Sequence, residues 1–185
     1  MTQLEKYEIA GQSTVSVQQM VKYFNSKGKE YPTKELSKGG AKNISEFCQI
    51  FYEEANAEGI KAEVAFAQTM LETGYLQFGG DVKAGQFNFC GLGATGGVAG
   101  ADFSSYGSAG VRTGIRAQIQ HLKCYANSEP LNYACVDPRW GDWLREKAPY
   151  VEWLGQKENP YGTGWATSEN YGYNIKKIIY EIKEF

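Results

Sequence analysis

Phe66-Ala67-Gln68-Thr69-Met70-Leu71-Glu72-Thr73-Gly74 is an apolar helical stretch that ends on a carboxylate and stops at a glycine. Val64, Ala67 and Leu71 recur at helical spacing, and Gly74 suits the left-handed residue that closes a helix. Glu72 then falls in the last turn, near the negative end of the helix dipole, which favours the protonated carboxyl and raises its pKa. Tyr75, Phe78, Phe87 and Phe89 follow closely, and aromatic cover would raise it further by desolvation. A carboxylic acid still protonated near neutral pH is what acid-catalysed cleavage of a glycosidic bond requires. Position alone does not single it out, because most glutamates in a last helical turn are solvated surface residues.

Working outward, helical patterns dominate. Ser16 and Gln19 form a capping-box signature ahead of Val17, Met20, Val21 and Phe24. Asn43 and Glu46 open a second helix that buries Ile44, Phe47, Ile50 and Phe51 and ends at Gly59, and the third runs from about Lys61 to Thr73. A fourth starts near Val111 with Ile115, Ile119 and Leu122, and the last starts near Ser168 with Tyr171, Ile175, Ile178 and Ile182. Lys27 to Gly40 reads as a polar loop, and Trp140 to Leu144 as a short extra helix. Between Gly91 and Gly114 there are eight glycines, a density that no amphipathic helix survives, so a short hairpin or wandering loop is expected beside Glu72. Gly91-Leu92-Gly93-Ala94-Thr95-Gly96 matches the dinucleotide fingerprint, but no buried strand precedes it and no helix can follow.

The chain has 185 residues and a net charge of −2, with nineteen basic residues scattered along it. One domain fits that length, and the lack of a basic stripe argues against nucleic acid. The apolar runs are too short to cross a bilayer, and the N-terminus shows no secretory signal. Four Trp, thirteen Tyr and nine Phe beside 22 glycines suit a sugar-binding cleft, although most of these aromatics belong to a core. Cys48, Cys90, Cys124 and Cys135 form no C-x-x-C pair, and His121 is the only histidine, so no zinc site can be built. Cys48 and Cys124 fall on apolar helical faces, and a Cys/His nucleophile would have to use His121 in mid-helix. No metal or cofactor is expected.

Together these segments resemble a known family. Ala65 to Gly74 is similar to the catalytic helix of the bacterial endo-β-N-acetylglucosaminidases of glycoside hydrolase family 73. Phe87-Asn88-Phe89-Cys90-Gly91-Leu92-Gly93 is similar to that family's Asn-Leu-Phe-Gly-Ile segment. Phe103-Ser104-Ser105-Tyr106 resembles its Phe-Arg-x-Tyr element, with Ser104 in place of the arginine. Trp165-Ala166-Thr167-Ser168-Glu169-Asn170-Tyr171 resembles its Tyr-Ala-Thr-Asp-Pro-x-Tyr motif. The resemblance spans about Ile44 to Ile182, leaving residues 1–40 as an N-terminal helix and loop extension and 41–185 as the catalytic domain, in one compact unit. The wording of the extension is closest to clostridial members.

The resemblance implies a mainly α, lysozyme-like fold with a small β-hairpin beside the cleft. It implies hydrolysis of the N-acetylglucosaminyl-β-1,4-N-acetylmuramic acid bond in peptidoglycan, by a monomer that needs neither membrane nor nucleic acid. The site of action would be the bacterial wall, reached by a signal outside this chain or by phage-type release. Glu72 matches the general acid and Tyr171 the tyrosine across the cleft, though a core tyrosine is the plain alternative. Asn88, Phe89, Tyr106 and Trp165 would line the cleft. Asp102 is the candidate second carboxylate and Asp81 an outside one, and either suits a simple turn. A substrate-assisted route through the 2-acetamido group would need neither. Lytic transglycosylase activity, or a module that binds peptidoglycan without cutting it, are the rival readings.

Overall fold

The Glu72 helix is buried nearly all round. In the computed structural model, which describes residues 5–185, it runs over Ala62–Thr73 (α4), and every residue from Ala62 to Met70 is out of solvent. A helix without a polar face belongs at the centre of a fold. Around it stand Val17–Ser26 (α1), Ile44–Glu58 (α3), Gly110–Ala126 (α5) and Tyr171–Lys183 (α6); α3, α5 and α6 all pack on α4. The first four residues, where the expected extension begins, lie outside the described residues.

The ends of these helices follow local sequence. Ser16 and Gln19 cap α1 reciprocally, and the Asn43 side chain accepts from Glu46 N–H at the start of α3. Gly59 and Gly74 close α3 and α4 with φ of 68° and 56°, in the left-handed region that suits glycine. The expected loop from Lys27 to Gly40 is corrected in part, because Thr33–Lys38 (α2) is helical and buries Leu36. The last helix starts at Tyr171, three residues after the expected Ser168. The short helix expected over Trp140 to Leu144 is a single 3₁₀ turn, Asp142–Leu144.

The glycine-rich segment holds a minimal hairpin. Ala94–Thr95 (β1) pairs antiparallel with Val98–Ala99 (β2) across Gly96 and Gly97, both at positive φ as a tight hairpin turn demands. Gly114 serves another purpose. A Cβ there would lie 1.8 Å from the Phe87 carbonyl oxygen, so its bare backbone lets α5 press against the irregular segment leading to the cleft. The described residues therefore form a mainly α, lysozyme-like domain with one small hairpin. No helix among them is long and apolar enough to cross a membrane.

Burying α4 forces its polar side chains to find partners. Glu63 accepts from the Tyr7 hydroxyl at 2.8 Å and the Thr14 hydroxyl at 2.6 Å. Behind α3, the buried Glu54 carboxylate takes Arg116 at both oxygens, 2.9 Å each, and Arg112 at 3.0 Å. All four cysteines are free, with Cys48, Cys90 and Cys124 buried and Cys135 exposed.

Candidate active site

Glu72 emerges from the last turn of α4 onto an open cleft. Its outer atoms are exposed, yet enough protein surrounds the carboxyl for desolvation to raise its pKa above the ordinary 4.5. A hydrogen bond from Tyr171 opposes that rise more weakly. The Tyr171 hydroxyl donates to Glu72 Oε1 at 2.5 Å and accepts from Gln68 Nε2 at 3.0 Å. Burial first, and the Glu72 charge second, push the Tyr171 hydroxyl well above 10, so it stays a donor. Its backbone is set by Asn170, whose φ of 60° turns the chain sharply into α6.

Behind this pair the polar groups form a closed set. Gln118 Nε2 of α5 donates to Gln68 Oε1 at 3.0 Å and to the Ala65 carbonyl at 2.9 Å, and Thr69 Oγ1 donates to Gln118 Oε1 at 3.1 Å. Gln68, Thr69 and Gln118 are wholly buried. Each amide is thus fixed in one orientation, and the chain of bonds locks the rotamer of Tyr171. These three residues escaped the sequence reading. Their signal was present as polar residues inside apolar helical runs, which must be paired when buried.

The second Glu72 oxygen is free for chemistry. Among the described residues Oε2 has no hydrogen-bond partner, and Glu72 and the neighbouring Gly91 both border the cleft. Gly91, at φ 68°, lies directly against it: a Cβ at Gly91 would stand 3.3 Å from Oε2. A Glu72 protonated on Oε2 can accept from Tyr171 at Oε1 and present its proton outward.

Two basins meet at Glu72. The larger, about 870 Å³, is bordered by Cys90–Gly96, by Pro138, Arg139, Trp140 and Trp143, and by Thr163–Ser168. The smaller, about 200 Å³, lies between Phe78, Asp81, Asn88 and the hairpin. The Trp165 indole N–H donates to the Cys90 carbonyl at 3.2 Å and so ties two walls of the larger basin together. His121 also lines it; Nδ1 stands 2.7 Å from the buried Asp137 Oδ2, and Trp165 packs edge-on at 4.6 Å. The sequence offers His121 only as a lone metal ligand or as a partner for a cysteine. Its position on the cleft is set by an Asp137 sixteen residues away, which no spacing rule links to it.

The residues expected at the site are dispersed. Glu72, Tyr171 and Trp165 come together as described. Asn88 borders the smaller basin, but its amide is occupied within its own loop, accepting from Leu92 N–H and donating to Leu92 O, both at 3.0 Å. Phe89 is a correction: it is fully buried and packs on Phe47 at 5.0 Å, so no sugar can touch it. Tyr106 is half exposed on the 3₁₀ segment Ser104–Ala109 and borders neither basin, because that segment turns outward after Phe103. Asp102 is exposed and also borders neither basin. Ser104, through its hydroxyl and its N–H at 2.8 Å, holds the Asp102 carboxyl below the ordinary carboxylate range. Asp81 does border the smaller basin, where Oδ2 accepts from Gly97 N–H at 3.1 Å and pins the hairpin tip. No three His, Cys, Asp or Glu side chains among the described residues are grouped to hold a metal ion.

Known proteins resemble this chain over most of its length. No solved structure matches the chain. An uncharacterized protein of Borreliella burgdorferi (strain ATCC 35210 / DSM 4680 / CIP 102532 / B31) is 35% identical over 143 residues, covering 77% of this chain and 64% of that protein. The chain thus spans less than two thirds of that relative's length. Residues 48–184, which carry Glu72, Tyr171 and both basins' borders, match the glucosaminidase family, described as mannosyl-glycoprotein endo-beta-N-acetylglucosaminidase. The chain belongs to the glucosaminidase family of glycoside hydrolases.

Proposed function

We propose that this chain hydrolyses the N-acetylglucosaminyl-β-1,4-N-acetylmuramic acid bond of peptidoglycan, with Glu72 as general acid. The observation that carries the reading is the division of labour at one carboxyl: Oε1 is held by Tyr171, while Oε2, without a partner among the described residues, lies against Gly91 on the cleft border. Desolvation keeps that carboxyl protonated to higher pH than an ordinary glutamate, so Oε2–H can be delivered to the leaving glycosidic oxygen. Cleavage of the C1–O bond then leaves positive charge at the anomeric carbon of the N-acetylglucosamine.

The attacking group is the substrate's own 2-acetamido oxygen, followed by water activated by the now ionised Glu72. Two placements support this over a carboxylate pair: Asp102 is tied to Ser104 away from both basins, and Asp81 holds the hairpin tip. Tyr171 positions Glu72 and steadies its ionised form. The same reading has the enzyme act at the bacterial wall, outside the cell, as a monomer.

Digestion of purified peptidoglycan by wild-type and Glu72→Gln protein, with mass spectrometry of borohydride-reduced fragments, tests this. Reduced N-acetylglucosamine ends from the wild type alone are expected. Anhydromuramic ends would make the enzyme a transglycosylase, and intact strands from both proteins would leave only a binding module.

A further inference from the structure

The chain has four arginines, and three of them are engaged within the fold. Arg112 and Arg116 are bound to Glu53 and Glu54, while Arg145 donates to the Glu129 carbonyl at 2.6 Å and lies 4.6 Å over the Trp140 ring. Arg139 differs. It is exposed, it borders the larger basin beside Glu72, and no carboxylate among the described residues reaches its guanidinium. Its Cδ stands 4.0 Å from where a Cβ would extend from Gly93, so its side chain reaches toward the glycine-rich wall.

The backbone that presents Arg139 is built firmly. Asp137, buried between α5 and the loop, accepts from Arg139 N–H at 2.8 Å through Oδ1 and holds His121 through Oδ2. Next along the wall, Trp140 donates to Asp142 at 3.3 Å, and Trp143 stands 71% exposed at the rim. A cation on an anchored backbone, bordering one basin with Trp140 and Trp143 and with no internal anion to neutralise it, is a receptor for a carboxylate carried on an amphipathic sugar.

We propose that Arg139 is a specificity determinant that binds a carboxylate on the glycan substrate, with Trp140 and Trp143 flanking the sugar or peptide that bears it. This rests on the glycan-cleaving reading above. In peptidoglycan such a carboxylate has two sources, the peptide stem and a muramyl lactate freed of its stem. A guanidinium can bind either in the same forked geometry.

The test measures binding to three ligands in the Glu72→Gln background, so that no ligand is consumed. They are stem-bearing glycan strands, amidase-stripped strands with free lactyl carboxylates, and neutral N-acetylglucosamine oligomers of equal length. Without a change at Arg139, the protein is expected to prefer a carboxylated ligand over the neutral one. Arg139→Gln should lower that preference about tenfold, the size of one lost charge-assisted bond, and Arg139→Lys should restore part of it. The ligand whose preference falls names the carboxylate source. A preference that is absent from the start, or unchanged in Arg139→Gln, overturns the proposal. An Arg139-dependent preference in a protein whose Glu72-bearing form cuts none of the three would keep the carboxylate site and remove the hydrolase reading.

Discussion

Tyr171 and Glu72, 99 residues apart in the chain, meet in a 2.5 Å hydrogen bond that only the packing of α6 on α4 can create. The bond favours ionised Glu72, against a stronger desolvation that favours the protonated form. Removing the hydroxyl in Tyr171→Phe should therefore raise the Glu72 pKa further. Turnover should fall roughly 10- to 100-fold as the acid loses its fixed rotamer. The alkaline limb of the pH–rate profile should meanwhile move to higher pH. A drop in rate with an unmoved limb would mean that the hydroxyl does not act on Glu72.

Glu72→Gln should abolish most activity, by about 100-fold or more, the usual contribution of a general acid. Its effect on stability has the opposite sign. Because the folded-state pKa lies above the ordinary 4.5, the native protein loses stability as pH rises from 4.5 through the raised value. The glutamine variant is free of that loss. Its melting temperature should exceed the wild type's near pH 8, and the gap should close near pH 4. Equal melting temperatures across that range would remove the desolvated carboxyl from the account.

Gly91→Ala would place a methyl group 3.3 Å from Glu72 Oε2 and force an alanine into a left-handed backbone. Activity should drop more than stability, since the added carbon crowds the oxygen that delivers the proton. Comparing turnover with the denaturant midpoint checks this: an equal loss in both would point to general damage.

Gln118→Leu fills nearly the same volume but leaves the Ala65 carbonyl, Gln68 Oε1 and the Thr69 hydroxyl without their buried partner. Each buried polar group stranded this way costs about 1–3 kcal/mol, so the variant should unfold at distinctly lower denaturant. Turnover at a temperature where it is still folded should also fall, because Gln68 would no longer hold Tyr171. Normal turnover in the folded variant would show that the network only stabilises.

De-N-acetylated glycan strands provide a test on the substrate side. If the 2-acetamido oxygen attacks the anomeric carbon, strands with free amines at the reacting sugar should resist cleavage, while Asp102→Asn keeps near-normal turnover. Loss in Asp102→Asn comparable to Glu72→Gln would instead require a carboxylate pair.

The helices were legible because their signals are local. Ser16 with Gln19, Asn43 with Glu46, and the glycines at 59 and 74 each fix an end through residues a turn apart. Glu72 could be found for the same reason, since its place at a helix end is a matter of spacing. Phe89 and Tyr106 misled because aromatic character does not say which way a loop turns: one closes the core and the other points outward. Thr33–Lys38 was hidden by its polarity, with Leu36 its only buried residue. His121, Asp137 and Arg139 gave no sign, for their arrangement depends on a loop folding back over α5, and Gln118 needed the three-dimensional pairing with Gln68.

The docking of α6 on α4 also has a consequence in time. A ribosome completes Glu72 long before Tyr171 exists, and the last helix must emerge and settle before the acid gains its partner. Until then the carboxyl lacks the hydrogen bond that fixes its rotamer. A chain cut short before that helix would therefore lack the group that fixes its acid, and its turnover should fall at least as far as that of Tyr171→Phe.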